Sequence, residues 1–109
     1  MQGERDARVE EAGEDYYQNL NDLIAAFRRD LGRPGLPFIL GLVNPPMQTY
    51  PALDVVRDAQ YRAAEQIPNV YLVETDDLSK RDDNLHYDSE GIMELGRRFG
   101  EMVMALGRL

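Results

Sequence analysis

Two short apolar runs, bounded by glycine, proline and asparagine, constrain the fold of this chain more than any other feature. One is residues 36–43, with the sequence Leu-Pro-Phe-Ile-Leu-Gly-Leu-Val, and the other is residues 70–73, Val-Tyr-Leu-Val. A short, nearly continuous apolar run is typical of a strand that is buried on both faces, as in a parallel sheet. The sequence therefore predicts two strands of a parallel sheet.

Apolar residues at three- and four-residue spacing predict three amphipathic helices around these strands. The helices cover residues 12–31, 51–67 and 92–106. Helices that alternate with buried strands indicate an α/β fold, in which right-handed crossovers place helices on both faces of a parallel sheet. We expect the two strands to pair in parallel, with the loops that follow them at the same edge of the sheet.

The predicted sheet is too small for a complete domain. Two parallel strands leave edges and faces exposed, and three helices cannot cover them. The first eight residues are polar and irregular, and they predict a loop that follows earlier elements. We therefore expect residues 1–109 to be the carboxyl-terminal portion of a single domain that lacks its amino-terminal strands.

The composition argues against several classes of function. A chain of 109 residues with 43% hydrophobic and 29% charged residues is typical of one globular domain. The net charge of -8 repels phosphate backbones and anionic lipids, so we expect neither a nucleic acid nor a membrane as partner. No apolar run approaches the roughly 20 residues that cross a bilayer, and the first residues show no signal-peptide pattern. Without cysteine the chain has no thiol chemistry, and its compartment stays open.

The stretch richest in reactive side chains is residues 82–91, which holds the only histidine, His86. Histidine is the side chain best suited to exchanging a proton near neutral pH, and Asp83 lies three residues before it. In a turn, this spacing lets the carboxylate reach the imidazole and hold its tautomer. Ligands of parallel sheets bind beyond the carboxyl ends of the strands, where this stretch is expected. The same residue types also form turns and helix caps, so a structural interpretation stays open.

The acidic residues around His86 have a further interpretation as a metal site, because carboxylate oxygens bind hard cations. The residues concerned are Asp76, Asp77, Asp82, Asp83 and His86. They lack the alternating ligands and the fixed glycine of a calcium loop. We therefore prefer a solvated acidic loop and predict neither a metal nor a cofactor.

Six short motifs occur along the chain in a recognisable order. They are Gln-Gly-Glu within residues 1–7, the helix of residues 17–28, Leu-Pro-Phe at 36–38, Val-Arg-Asp-Ala-Gln at 56–60, Asp-Asp-Leu at 76–78, and Asp-Asn-Leu-His-Tyr-Asp-Ser-Glu-Gly at 83–91. This order resembles the sialate O-acetylesterase domain, which is similar to the acetylxylan esterases of carbohydrate esterase family six and belongs to the SGNH hydrolases. The resemblance implies a flavodoxin-like three-layer α/β/α sandwich and a serine esterase that removes O-acetyl groups from sialic acid or xylan-type sugars.

The resemblance also implies roles for individual residues. His86 corresponds to the general base of the family and Asp83 to the aspartate that orients it. Gln2 corresponds to a glutamine placed to help the oxyanion, within a block that lines the site. In that block we expect Glu4, next to Gly3, to hold the loop in shape.

Three further residues can be interpreted beside these. Tyr87 follows the histidine directly and is a candidate for lining a sugar pocket. Arg57 and Gln60 match an Arg-x-x-Gln of the family, and we expect them to form buried hydrogen bonds instead of contacting substrate.

This chain departs from the family's pattern at the nucleophile. The family's serine lies in a Gly-x-Ser block upstream of Gln-Gly-Glu, whereas the only serines here are Ser79 and Ser89. Neither is predicted on the strand-to-helix turn that exposes a nucleophilic hydroxyl. We therefore expect no nucleophile within residues 1–109 and no activity from the chain alone.

Two classes of function remain after this comparison. In the first, the chain is part of an O-acetylesterase that acts on an acetylated carbohydrate. In the second, it is a non-catalytic truncated module or interaction fragment. In either case we expect it to pair with the missing first half of the domain or with itself, and a secreted or periplasmic location is an expectation from the resemblance alone.

Overall fold

The computed structural model describes residues 3–4, 6–8 and 10–107 of the chain. A single 3-10 turn, Asp6–Arg8, is followed by helices and strands in alternation. The elements are α1 (Glu10–Asp30), β1 (Phe38–Gly41), α2 (Leu53–Gln66), β2 (Val70–Val73) and α3 (Ser89–Gly107). All five predicted elements are confirmed, with β1 shorter than its apolar run and α3 starting three residues earlier than its apolar face.

The two strands pair in parallel, as predicted. Their register aligns Phe38 with Val70 and Gly41 with Val73, and α2 forms the crossover between them. This arrangement confirms the α/β class and the parallel sheet. The loops that follow β1 and β2 consequently lie at one edge of the sheet.

The core lies between α1, α2 and the strands. Its most buried side chains include Ile24 of α1, Val56 and Ala63 of α2, Val70 of β2, and Val43 just after β1. These apolar residues recur at helical spacing along α1 and α2, so each helix turns one face inward. No helix of the described part of the chain is both long enough and apolar enough to cross a membrane.

The strands are less buried than their sequences predict. Phe38, Ile39 and Leu40 are only half-buried, and the burial of the first run is complete only at residues 41–43. Within the described residues the sheet has no third strand, so β1 keeps a free edge. The expectation of strands buried on both faces is therefore wrong for the described residues, because no third strand among them covers the free edge of β1.

Helix α3 is the most exposed of the three helices. It contacts β2, but Gly91 is its only buried residue among those described. Ile92 and Met93 are 56% and 76% exposed, and Val103 near the other end is 58% exposed. Apolar side chains near both ends of α3 are therefore exposed in the described part of the chain.

Candidate functional site

The loops after β1 and β2 are joined by hydrogen bonds close to the strand ends. The Leu42 amide donates to the carbonyl oxygen of Val73 over 3.0 Å, which extends the ladder past the strand ends. The hydroxyl of buried Thr75 donates back to the carbonyl oxygen of Leu42. These hydrogen bonds fix the starting points of the two loops relative to each other, where the loops leave the sheet.

Residues 79–88 form a hairpin-like excursion from this edge. Lys80 and Tyr87 pair as an isolated antiparallel bridge. The Arg81 amide donates to the His86 carbonyl oxygen over 2.8 Å, and the Asn84 amide donates to the Arg81 carbonyl oxygen over 3.0 Å. Asn84 has a φ of 55°, a conformation that asparagine tolerates better than most residues. The tip of the loop is thus a defined turn.

Asp83 and His86 are in direct contact in this turn. His86 Nδ1 lies 2.6 Å from Asp83 Oδ2, while Asp83 Oδ1 accepts the Leu85 and His86 amides over 2.9 and 3.0 Å. The predicted contact between aspartate and histidine is therefore confirmed. Because the Nδ1–H group donates a hydrogen bond to the carboxylate, Nε2 is left as the proton acceptor of the ring.

The bonds to Asp83 also determine its charge. The hydrogen bond from the His86 ring, followed by those from the Leu85 and His86 amides, holds the pKa of Asp83 far below its ordinary value of 3.8. The carboxylate therefore stays ionised through the neutral and mildly acidic range. Both side chains are accessible, with His86 67% and Asp83 47% exposed, so the ring can be reached from outside.

A cavity of about 580 Å³ opens beside His86. This volume is within the usual range for small-molecule sites. The polar residues of its lining include Glu4, Arg81, His86 and Tyr87. The apolar residues of its lining are Leu85, Ile92, Leu95 and Phe99. A ligand there would meet the histidine together with both polar and apolar side chains.

The Gln-Gly-Glu block is described only in part. Gly3 is buried, with a φ of 127°, and a Cβ built on it would lie 3.1 Å from both Tyr16 and Val43. Glycine is therefore required where this block passes the end of β1. Glu4 follows it into the cavity lining, whereas Gln2, the expected oxyanion residue, lies outside the described residues.

Arg57 and Gln60 of α2 hold the end of β1. Gln60 is fully buried; its Oε1 accepts the Val43 amide over 3.0 Å, and its Nε2 donates to the Gly41 carbonyl oxygen over 3.1 Å. Arg57 donates to the Val43 carbonyl oxygen over 2.9 Å. The prediction of buried hydrogen bonds is confirmed for Gln60, while Arg57 is partly exposed.

The acidic loop after β2 is tied to arginines on two helices. Arg57 forks onto Asp76 with two bonds of 2.8 Å, and Arg98 of α3 forks onto Asp77 with two bonds of 2.7 Å. The bond from Arg98 lowers the pKa of Asp77 to about 2. Within the described ranges, no group of three or more histidines or carboxylates is arranged to hold a metal ion. The two neighbouring aspartates instead connect α2 and α3.

Asp88 and Ser79 secure the start of α3. Asp88 Oδ1 accepts the Gly91 amide over 2.8 Å, which caps the helix, and also accepts the Ser79 hydroxyl over 2.6 Å. The Ser79 hydroxyl is therefore hydrogen-bonded at the base of the loop, and Ser89 is the first residue of the helix.

Sequence reasoning missed the parts played by Lys80, Arg98 and Asp88. An acidic residue three positions before Gly91 was the available signal for the cap, since helix N-caps are often Asp. Lys80 and Arg98 gave no comparable signal, because their partners are distant in sequence.

The comparisons with known proteins agree with this arrangement. The family model described as carbohydrate esterase, sialic acid-specific acetylesterase matches residues 1–105. A protein of Arabidopsis thaliana named "probable carbohydrate esterase" is 34% identical over 104 residues, which cover 95% of this chain and 38% of that protein. The X-ray structure of that Arabidopsis protein superposes with a TM-score of 0.83 at 32% identity, covering 95% of this chain and 42% of the other. The chain spans about two fifths of its relative, and it belongs to the carbohydrate esterase, sialic acid-specific acetylesterase family.

Proposed function

We propose that this chain is the carboxyl-terminal part of a carbohydrate O-acetylesterase, in which it supplies the general base and the residue that orients it. Family membership supports the class of reaction. The observation that carries the proposal is the 2.6 Å contact between His86 Nδ1 and Asp83 Oδ2 beside a cavity. A histidine held in this way, with its second nitrogen free, is the arrangement that acyl transfer to a hydroxyl requires.

In the proposed mechanism, Nε2 of His86 removes the proton from an attacking hydroxyl as that oxygen adds to the acetyl carbonyl carbon. The imidazolium that forms is stabilised by ionised Asp83 and then returns the proton to the departing sugar oxygen. A water molecule, activated by the same nitrogen, releases acetate in the second half of the reaction. Asp83 keeps its charge throughout, which is consistent with its lowered pKa.

The attacking hydroxyl in this proposal belongs to a serine outside residues 1–109. Ser79 donates its hydroxyl to Asp88, and Ser89 is the first residue of α3, so neither follows a strand of the sheet in the turn that exposes a nucleophilic serine. The family resemblance supports a serine in a Gly-x-Ser block upstream of Gln2.

The same proposal assigns substrate contacts. Gln2 would help bind the oxyanion, with Gly3 and Glu4 forming the adjacent wall. Tyr87 would line the sugar pocket, and its place in the cavity lining supports this role. The substrate would be an acetylated sialic acid or an acetylated xylan-type sugar, in keeping with the family.

The test is acetate release by the full-length protein from O-acetylated sialic acid and from acetylated xylan oligosaccharides. His86→Ala should abolish turnover, and Arg33→Met serves as control because it removes one exposed charge from the loop before β1, at the opposite edge of the sheet. Unchanged turnover in His86→Ala would refute the assignment of the base. Absence of acetate release from every acetylated sugar would favour the non-catalytic module.

A further inference from the structure

Lys80 is the only lysine of the chain, and it lies between two loops of the site. Its ammonium group donates to the carbonyl oxygen of Asn44, in the loop after β1. The same group donates over 3.2 Å to the carbonyl oxygen of Asn84, within the turn that carries the histidine. One half-buried side chain therefore joins the end of the first strand to the tip of the second loop.

The polar part of the turn is exposed, whereas Leu85 next to it packs against the core. Residues 81–84 are all exposed. The hydrogen bond with which Asp88 caps α3 lies at the base of the excursion and not at its tip. The hydrogen bonds that Asp83 accepts fix the shape of the turn, but they join residues only two and three positions apart. They therefore do not determine where the turn lies relative to the sheet.

The chemistry of the residue suits this task. An ammonium group is a compact donor with three protons, which lets it serve two carbonyl oxygens that approach from different directions. It also lies 5.8 Å from the centroid of the Tyr87 ring, a distance at which a cation is attracted to an aromatic face. Burial lowers the pKa of Lys80, and the nearby charges of Asp76 and Asp83 oppose that effect.

We propose that Lys80 is a positioning residue, which sets the place of the His86 ring relative to the strand ends by joining Asn44 to Asn84. Its consequence for catalysis rests on the proposed esterase function. The joined loops themselves are a structural claim that can be tested without turnover.

The experiment compares Lys80→Met, which keeps the length but removes the donor, with Lys80→Arg, which keeps a cationic donor. Arg33→Met is the matched control for loss of one charge. Amide hydrogen exchange is measured for Leu85 and His86, whose amides bond to Asp83, and for the amides of β1 and β2. In the full-length protein, kcat and KM are measured with an acetylated sugar.

We expect Lys80→Met to speed exchange of the Leu85 and His86 amides about tenfold, with strand amides unchanged, since only a local opening is affected. In the same variant kcat should fall by about 10- to 100-fold, with KM within about twofold of the wild-type value. A displacement of a catalytic group by about 1 Å lowers the rate by up to about 100-fold. Lys80→Arg should recover part of both losses.

Unchanged exchange in Lys80→Met would overturn the proposal, and so would equal acceleration of turn and strand amides, which indicates a general loss of stability. If the wild-type protein hydrolyses no acetyl ester, the proposed function fails. The exchange comparison then still decides whether Lys80 holds the turn.

Discussion

At the scale of single residues, Asp83 contacts both the backbone of the turn and the ring of His86. One of its oxygens accepts hydrogen bonds from two backbone amides, and the other accepts a hydrogen bond from the ring of His86. Asparagine at this position can keep the amide bonds through its carbonyl oxygen. Its amino group, however, cannot accept a hydrogen bond from Nδ1–H, so the ring would lose the contact that holds its tautomer and its counter-charge.

We therefore predict that Asp83→Asn lowers kcat of the full-length protein by several orders of magnitude with little change in KM. In a related arrangement the loss is about 10⁴-fold. Asp82→Asn is the matched control, because it removes the neighbouring charge while the ring contact stays in place. Steady-state kinetics on an acetylated sugar measures both variants. Near-normal turnover in Asp83→Asn would move the orienting role to Asp82 or Asp88.

At the scale of secondary structure, the start of α3 determines how the loop that carries His86 meets the helix. Gly91 is buried in the first turn, against the backbone of Ser79. A Cβ built on Gly91 would lie 2.1 Å from the carbonyl oxygen of Ser79, far inside contact distance. Only glycine permits this close approach, so the helix and the base of the loop are set by one another.

Gly91→Ala should therefore destabilise the protein by about 1–3 kcal/mol, as overpacking generally does. Gly96→Ala, in the same helix, is the control, since nothing lies within 4 Å of its added Cβ. That variant should gain about 0.5–1 kcal/mol, because alanine is the better helix former. Urea unfolding of both variants measures the difference, and equal effects would contradict the close approach.

The attachment of α3 to the loop after β2 should depend on pH. Bonds from Arg98 lower the pKa of Asp77 to about 2, and bonds from Arg97 and Arg98 lower the pKa of Glu94 to about 2. Because these folded values lie below the ordinary ones of 3.8 and 4.5, the carboxylates stabilise the fold above those values. That contribution is lost as the pH falls toward about 2.

We predict that acidification through this range loosens α3 before it opens the strands. The pairs are exposed, so the effect should be modest and should shrink in high salt. Arg98→Met should make exchange of the α3 amides less dependent on pH. Hydrogen exchange along an acid series measures this, and identical profiles for wild type and variant would rule out the attachment through Asp77.

At the scale of the whole molecule, the described chain exposes apolar surface on two helices and one strand edge. Leu23 and Phe27 of α1 are each 49% exposed. Ile92 and Val103 of α3 are each more than half exposed. Together with the half-buried β1, these residues leave apolar surface uncovered in the described part of the chain. The chain spans only 38% of the length of its Arabidopsis relative.

We predict that residues 1–109 alone self-associate or fold loosely, and that they show no esterase activity. Even ~400 Å² of contiguous apolar surface is unusual on a monomer, and at ~25 cal/mol per Å² it forgoes ~10 kcal/mol, comparable to the net stability of a domain. Sedimentation, a thermal melt and acetate release test this. The full-length protein should be cooperative in its unfolding, and a cooperative, monomeric and active 109-residue chain would contradict the prediction.

The sequence by itself determined the features that depend on near neighbours. Helical spacing predicted α1, α2 and α3, and unbroken apolar runs predicted β1 and β2, because periodicity reflects which face is buried. The pair Asp83 and His86 was also predictable. A separation of three residues in a turn lets a carboxylate reach an imidazole without partners that are distant in sequence.

Only the tertiary structure decided which residues support that pair. Arg57 meets Asp76 across 19 positions, Arg98 meets Asp77 across 21, and Lys80 meets Asn44 across 36. No local spacing marks such partners, since each contact exists only once the parallel strands bring the two loops to one edge and the helices pack beside them. The acidic loop is exposed, as predicted, but its contacts from Asp76 and Asp77 to arginines, and the lysine between the two loops, became visible only in the fold.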